Sequence, residues 1–306
     1  MAARPGRRAS TPRLVLWGIV MFLLGLGLGA LFTSRGCRGG KGRLPVAGEQ
    51  APSVPAPKRE RGAQPGAPPA SVPAPPQRPA PPPGLPRVAL VIDDLGYAQP
   101  ELVTRLCAQP VPFDVAVLPY QEFTHQSAEI AHARGKEVML HLPMEPLGYP
   151  GPGKNPGPDA VMYDLSEAQV RARVQKALAD IPYRKGVNNH MGSRITPDQA
   201  RMTWVLEEIK AKGCFFVDSR TERDSVAQEV ARDLAVPTVQ RQVFLDDDKG
   251  YPAIARQWER TLALARNQGQ VLAIGHIYPE TVAALEKLIP AAKGQVTFVY
   301  ASALVN

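Results

Sequence analysis

Short apolar runs alternate with longer amphipathic segments along residues 87–306. The apolar runs have the length of buried strands, and the longer segments carry apolar residues at helical spacing. Ser166 opens a Ser-x-x-Gln capping box, and Thr196 followed by Pro197 indicates a second helix start. The predicted strands lie at Val88–Ile92, Asp114–Leu118, Glu137–His141, Gly186–Asn188, Cys214–Val217, around Val243, at Val271–Gly275 and at Val296–Tyr300. This alternation predicts an α/β fold, either a (β/α) barrel or a doubly wound sheet.

The first strand, Val88–Ile92, consists of consecutive apolar residues and predicts a strand that is buried on both faces. Asp93 and Asp94 follow it directly, at the edge of a parallel α/β fold that usually carries the chemistry. Two adjacent carboxylates raise each other's pKa unless a cation or a strong donor lies nearby. The pair therefore indicates a metal site, and the alternative is that Asp-Asp-Leu-Gly only turns the chain.

Polar residues also follow the later strands, at the points where those strands end. They are His141, Asn188, Asn189, His190, Asp218 and His276. A single histidine in such a place is usually structural, but several polar clusters after separate strands would meet at one end of an α/β barrel. The pattern therefore predicts one functional site that is built from strand ends.

Two loops near these strand ends also bear on the site. The loop from His141 to Asp164 is long and rich in Gly and Pro, which is typical of a lid or a binding rim. The acidic run Asp246–Asp248 lacks the alternating ligand spacing of calcium loops. We interpret that run as a solvated turn near the barrel mouth.

An uncharged apolar segment, Leu14–Phe32, is long enough to cross a bilayer as a helix. Basic residues in 1–13 favour a cytoplasmic N-terminus, although other basic residues follow the segment. We expect an uncleaved single-pass anchor in the inner (cytoplasmic) membrane rather than a cleaved signal peptide. Residues 33–86 are rich in Pro and Ala and predict an extended, disordered linker. Residues 87–306 would then form a domain on the periplasmic side.

Charge is divided unevenly along the chain. The whole sequence has a formal net charge of +8, but residues 1–86 contribute +10 and the remaining 220 residues contribute −2. A nucleic-acid-binding protein carries its basic surface on the folded domain. The charge distribution therefore argues against a nucleic-acid partner.

Five short motifs occur in order between Arg87 and Asn306: Val-Ile-Asp-Asp-Leu-Gly, His-Leu-Pro-Met-Glu-Pro, Asn-Asn-His-Met-Gly-Ser, Asp-Ser-Arg-Thr and Ile-Gly-His. Together they resemble the divergent polysaccharide deacetylase family, a branch of the NodB-like carbohydrate esterase superfamily. The resemblance implies a distorted (β/α) barrel of about seven strands. It also implies a divalent metal, with zinc expected, and the removal of acetyl groups from N-acetylated sugars.

The same resemblance assigns roles to single residues. Asp93 corresponds to the catalytic base, Asp94 to a metal ligand, and His276 to the acid that protonates the leaving amine. The second family motif has two histidines four residues apart, and they fall on His141 and Glu145 here.

With Asp94 and His141 as the first two ligands, the identity of the third metal ligand is therefore open. Glu145 could supply an oxygen, since zinc accepts carboxylates, or His190 could supply a nitrogen from the next strand end. We favour His190 because an imidazole preserves the usual ligand type.

A second departure concerns the group that braces the base. Asn188 stands where the family at large usually has an Arg, and Arg220 could restore that charge from a neighbouring strand end. Asp218 or Arg220 could orient the reacting groups, and Asn189 lies beside them in the sequence. Two functions remain open: a metal-dependent deacetylase that acts on an envelope or extracellular polysaccharide, such as a peptidoglycan-like glycan, or a non-catalytic domain that binds a glycan or a partner protein.

Overall fold

The computed structural model describes residues 84–306, which form an α/β domain with nine strands and seven helices. The elements are β1 (Arg87–Leu95), α1 (Pro100–Cys107), β2 (Asp114–Val117), α2 (Thr124–Ala133), β3 (Glu137–Met144), α3 (Glu167–Asp180), β4 (Arg184–Met191), α4 (Gln199–Ala211), β5 (Phe215–Asp218), α5 (Ala227–Asp233), β6 (Thr238–Gln240), β7 (Val243–Phe244), α6 (Tyr251–Gln268), β8 (Gln270–His276), α7 (Pro279–Ala291) and β9 (Thr297–Val299). A single turn of 3₁₀ helix follows at Ala301–Ala303.

The nine strands form one sheet in which every pairing is parallel. The order is β6-β5-β4-β3-β2-β1-β8-β7, with β9 added beside β1. Only Arg241 and Gln242 connect the two edge strands, β6 and β7, so the sheet curls until its edges approach each other. The architecture is therefore a curled half-barrel and not a doubly wound sheet. The strand predicted around Val243 is β7, and the sequence pattern did not predict β6.

Strand β1 has more strand neighbours than any other strand of the described domain. It pairs with β8 from Arg87 to Asp93, and on its other side it pairs first with β9 and then with β2. The apolar residues Val88–Ile92 are fully buried. The prediction of a strand that is buried on both faces is therefore confirmed.

The two faces of the sheet pack against different partners, because successive strand residues point in opposite directions. Val88, Leu90 and Ile92 face the helices and belong to the main core. Ala89 and Val91 face the inside of the curl, where a second and smaller core lies. That inner core consists of Ala89, Val91, Ala116, Met139, Phe215, Val217, Val239, Leu272, Ile274, Ala301 and Leu304.

The C-terminal segment closes the amino end of the curled sheet. Ala301 and Leu304 belong to the inner core, and the backbone N–H of Ala301 donates to the buried Asp114 at the start of β2 (2.8 Å). The backbone of Asn306 pairs with that of Thr238 at the start of β6. The polar residues that face the interior lie at the opposite, carboxyl end of the sheet.

Local signals explain where two of the helices begin. Ser166 and Gln169 form the reciprocal capping box that the sequence predicts for α3. The second prediction is wrong, since Asp198 rather than Thr196 caps α4 by accepting from the backbone N–H of Arg201 (2.9 Å). Thr196 is fully buried before the helix begins.

Within residues 84–306, no helix combines the length and the apolar character needed to cross a bilayer. The predicted anchor at Leu14–Phe32 lies outside the described residues, as does most of the predicted linker at 33–86. Both therefore stay predictions.

Candidate functional site

Strand β1 contains a bulge at the point where Asp93 and Asp94 lie. The residue pairs on either side of the two aspartates show that β1 has one more residue than β2 across this interval. Asp94 has a φ of +65°, a left-handed conformation that Asp adopts more readily than most residues. Consecutive residues of a regular strand point to opposite faces, and a bulge redirects one of them. Both carboxylates consequently lie near His141.

The inner face of the sheet becomes polar at its carboxyl end. Asp93 lies two residues beyond Val91 of the inner core, and therefore points to the same face. On three other strands, a step of two residues from an inner-core residue leads to His141, Ser219 and His276. On β4, steps of two residues lead from Gly186 to Asn188 and then to His190. A Cβ at Gly186 would overlap the ring of Phe215, so the layer beneath the polar residues is closely packed.

Three side-chain atoms form a compact triangle in this polar layer. Asp94 Oδ1 lies 3.3 Å from His141 Nε2 and 3.1 Å from His190 Nδ1, and the two ring nitrogens are 3.1 Å apart. A tetrahedral ion with bonds of about 2.0–2.2 Å holds its ligand atoms about 3.3 Å apart. The three residues therefore have the spacing needed to hold a divalent cation, with one position left open.

Asn188 links the triangle to Asp93 and fixes the tautomer of His141. Its Nδ2 donates to Asp93 Oδ1 (2.8 Å), so that its Oδ1 faces His141 Nδ1 (2.8 Å). Since an amide oxygen only accepts, His141 Nδ1 carries the proton and Nε2 presents a lone pair to the triangle. An outer hydrogen bond of this kind orients a histidine for metal binding.

The polar environment of the triangle also fits a cation. Asp94 Oδ1 is buried and has no hydrogen bond of acceptable geometry, which leaves it free to coordinate. Burial alone would raise the pKa of Asp94, but His141 and His190 lower that pKa far below its ordinary value. Burial would lower the pKa of His141, yet Asp93 and Asp94 raise it. The site therefore attracts positive charge, which either a proton or a metal ion can supply.

At two neighbouring groups, Asp93 and His190, the effect of burial on the pKa outweighs the effect of the nearby charges. Burial raises the pKa of Asp93, although His141 and His276 partly oppose the shift. It lowers the pKa of His190, which favours the neutral imidazole that a metal requires. Asp93 thus combines a raised proton affinity with a place next to the triangle.

A third histidine, His276, faces the site from the end of β8. Its Nδ1 lies 2.8 Å from Asp246 Oδ1, and its backbone N–H donates to Asp246 Oδ2 (2.7 Å), which also accepts from the Thr281 hydroxyl. Burial would lower the pKa of His276, but Asp246 raises it to about 9. The sequence-based interpretation of Asp246 as part of a solvated turn is therefore wrong, because its side chain is buried.

Aromatic rings fix the plane of His276. Phe244 and Tyr278 stack against the imidazole with ring centroids 5.8 Å and 5.4 Å away. Arg241 lies over Phe244, and Lys249 lies over Tyr278. Because Asp246 occupies Nδ1, the nitrogen left for a ligand is Nε2.

The structure does not bring Glu145 into the triangle. Its carboxylate is buried and paired instead with the guanidinium of Arg194 and with the backbone N–H of Tyr163. Glu145 therefore joins the loop after β3 to the loop after β4. Of the two alternatives for a third ligand, the geometry places His190 in the group and leaves Glu145 out.

The remaining predicted residues support loops rather than the triangle. Asp218 accepts from the backbone N–H of Arg220 and from the Ser225 hydroxyl, and Arg220 donates to Gln240 and to the backbone of Arg223.

The expectation that Arg220 braces Asp93 is therefore wrong. Asn188 fills that place, and Ser219, which the sequence did not single out, contacts Asn188 (3.2 Å). Asn189 is buried and accepts from the backbone N–H of Ser219 (2.9 Å), so it ties β4 to β5.

Comparisons with known proteins agree with the sequence resemblance. A family model described as "Divergent polysaccharide deacetylase" matches residues 90–305. The Escherichia coli K12 protein YibQ, described as uncharacterized, is 35% identical over 220 residues, which cover 72% of this chain and 67% of YibQ. An uncharacterized Haemophilus influenzae protein is 34% identical over 200 residues, covering 65% of this chain and 70% of its own.

A solved structure also resembles the domain. The uncharacterized protein ATU2773 from Agrobacterium tumefaciens C58 superposes with a TM-score of 0.67 at 27% identity. The match covers 75% of this chain and 92% of that one. The half-barrel is therefore shared with at least one protein of known structure.

The triangle predicts which substitutions abolish metal binding. Asp94→Ala and His190→Ala should each weaken Zn²⁺ binding by at least about 100-fold, whereas Glu145→Gln should retain the ion, because Glu145 contacts Arg194 instead. Elemental analysis of the dialysed proteins measures the bound ion. If the Glu145→Gln protein loses zinc while the His190→Ala protein keeps it, the assignment of His190 as the third ligand is refuted.

The contact with Asp246 predicts a strongly basic His276. The ring should titrate at about pH 9, and Asp246→Asn should lower the pKa by more than about one unit, because the charge that holds the proton is removed. Histidine NMR signals followed against pH measure both values. Asp248→Asn, an equivalent change at an exposed carboxylate of the same loop, is the matched control, and an equal shift in that variant would contradict the role of Asp246.

Proposed function

The chain belongs to the divergent polysaccharide deacetylase family, and from this premise we propose that it is a metal-dependent deacetylase acting on an envelope or extracellular polysaccharide. The observation that carries the proposal is the convergence of three kinds of group at one end of the sheet. They are a possible metal triangle, a carboxylate next to it, and a protonated histidine whose partner is a buried carboxylate. Metal-assisted hydrolysis of an acetyl amide or ester can use each of them, as Lewis acid, general base and general acid.

A divalent ion, zinc in this proposal, would be held by Asp94, His141 and His190, where it would polarise the acetyl carbonyl and acidify a water molecule. The fit rests on the spacing of the three ligand atoms and on the buried, unpaired Oδ1 of Asp94. Asn188 supports the arrangement because it holds His141 in the tautomer that presents Nε2.

Asp93 acts as the general base in this scheme. The amide of Asn188 donates to its Oδ1, which leaves Oδ2, 3.7 Å from His141 Nε2, on the side of the triangle. Burial raises the pKa of Asp93, so the carboxylate accepts a proton from water more readily than an exposed aspartate does.

His276 acts as the general acid. Its pKa of about 9 keeps the ring protonated at neutral pH, and Asp246 holds Nδ1 so that Nε2 carries the proton to be donated. That proton passes to the nitrogen or oxygen that leaves with the sugar, while Asp93 takes one proton from water. Asp93 gains one proton and His276 loses one, so the total number of protons on the two side chains is unchanged after each turnover.

We also propose that the domain works outside the cytoplasm, tethered to the inner membrane through residues 14–32 and spaced from it by residues 33–86. The uncharged length of the first segment and the proline content of the second support this location. An envelope or extracellular glycan is then within reach of the site.

Acetate release tests the activity. Asp93→Asn and His276→Ala should each slow release from an acetylated cell-wall or exopolysaccharide fragment by about 10²- to 10⁴-fold, because each removes one proton-transfer group. Bound zinc should be retained in both, since neither residue belongs to the triangle. Asp247→Asn, at an exposed carboxylate, is the control. If no fragment of a broad panel yields acetate while the protein binds glycan tightly, the domain is a binding module instead.

Export can be tested with a fusion. A reporter enzyme that works only after export, joined after residue 86, should be active when residues 14–32 are present, because they supply the apolar span. Deleting residues 14–32 should silence it. A silent reporter in the undeleted fusion would contradict the proposed location.

A further inference from the structure

Tyr97 is a large side chain exposed beside the site. It follows β1, three residues after Asp94, and 58% of its surface is accessible, more than for any other large hydrophobic residue of the described domain. Burial of part of the ring and the charge of Asp94 both raise the pKa of Tyr97. The ring therefore lies beyond the strand end that carries Asp94 and is open to solvent.

The loop that carries Tyr97 is fixed in place. The backbone oxygen of Gly96 accepts from the N–H of Phe123 (3.0 Å), and a Cβ at Gly96 would lie 3.0 Å from the Leu118 oxygen. Gly96 has a φ of +114°, which side chains rarely adopt. The Tyr97 hydroxyl lies 3.8 Å from the position that a Cβ on Gly157 would take. The backbone beside Tyr97 is thus fixed, and its hydroxyl lies near the loop that contains Gly157.

Most of the other tyrosines at this end of the sheet, and Phe244, already have partners. Tyr278 and Phe244 stack on His276, with Lys249 over the first and Arg241 over the second. Cations cover further tyrosine rings: Arg194 and Arg201 lie over Tyr163, Lys176 lies over Tyr120, and Lys287 lies over Tyr251. Within residues 84–306, Tyr97 and Tyr149 are the exposed tyrosines at the carboxyl end of the sheet that have no stacking partner. Of these two, Tyr97 is nearer in the sequence to a triangle residue, since it lies three positions after Asp94.

We propose that Tyr97 is a binding residue on whose open ring one pyranose unit of the glycan stacks while the acetyl group of that sugar reaches the inner face. This inference rests on the proposed function and deepens it by naming how the sugar is held. A pyranose has an apolar C–H face that packs on an aromatic ring, and polar edges that can bind the polar layer.

A purely apolar partner fits this place less well. It would cover Asp93, His276 and the triangle without pairing with them, and burying unpaired polar groups costs free energy. A sugar covers Tyr97 with its apolar face and can still offer hydroxyl and amide groups to the same polar layer. The juxtaposition of an uncovered ring and a charged layer therefore favours a carbohydrate.

Direct binding of a sugar tests the role of Tyr97. Chitotetraose, four linked N-acetylglucosamine units, is titrated calorimetrically into the chain carrying Asp93→Asn, which should slow turnover by about 10²- to 10⁴-fold. Adding Tyr97→Ala should weaken binding about 10-fold, the loss expected for one aromatic contact. Adding Tyr97→Phe should keep the affinity within about threefold, because the ring face is preserved. Thermal unfolding of each protein shows whether the fold is retained.

Tyr183→Ala is the control for loss of an exposed tyrosine away from the site, since Tyr183 (49% exposed) precedes β4 at the opposite end of the sheet, where its ring stacks on His132. It should leave chitotetraose binding unchanged. Unchanged affinity in Tyr97→Ala, equal losses in Tyr97→Ala and Tyr97→Phe, or no binding by the Asp93→Asn protein at millimolar sugar would each overturn the inference. Tyr97-dependent binding without acetate release from the unsubstituted protein would support the inference and contradict the proposed activity.

Discussion

The candidate site depends on two consecutive carboxylates that face the same side of one strand. A regular strand cannot provide this, because neighbouring side chains alternate between its faces. The bulge in β1 and the left-handed backbone of Asp94 redirect the Asp94 side chain toward the interior, the side that Asp93 also faces. Asp93 can then serve as a base while Asp94 faces the two histidines. Since β1 lies between β8, β9 and β2, its packing holds this conformation in place.

The polar layer is stabilised by pairing almost every buried group. Asn188 joins Asp93 to His141, and Asp246 joins His276 to the Thr281 hydroxyl. Burying charged groups without partners would cost several kcal/mol each, so these hydrogen bonds make the layer compatible with folding. The exception is Asp94 Oδ1, which is buried without a hydrogen bond. A buried carboxylate oxygen that faces two histidine nitrogens without a hydrogen bond to either is consistent with a cation-binding role.

Much of the fold could be predicted from the sequence, because buried parallel strands produce apolar runs and each run ends in polar residues. The sequence pattern could not show which of two adjacent residues at a strand end points to the inner face of the sheet. Asp218 was singled out, yet Ser219 continues the inner face and contacts Asn188. Asp246 was missed because its role requires contact with His276, thirty residues away. Such pairings depend on strand register and on the curl of the sheet, which single-sequence patterns do not contain.

The central claim is that Asp94, His141 and His190 form a metal centre beside Asp93. X-ray diffraction from zinc-soaked crystals, recorded on both sides of the zinc absorption edge, locates the ion directly. The account predicts one strong anomalous peak about 2.0–2.2 Å from Asp94 Oδ1, His141 Nε2 and His190 Nδ1, with Glu145 still paired with Arg194. A peak bound to Glu145, or no ordered zinc near the triangle at a saturating concentration, would contradict it.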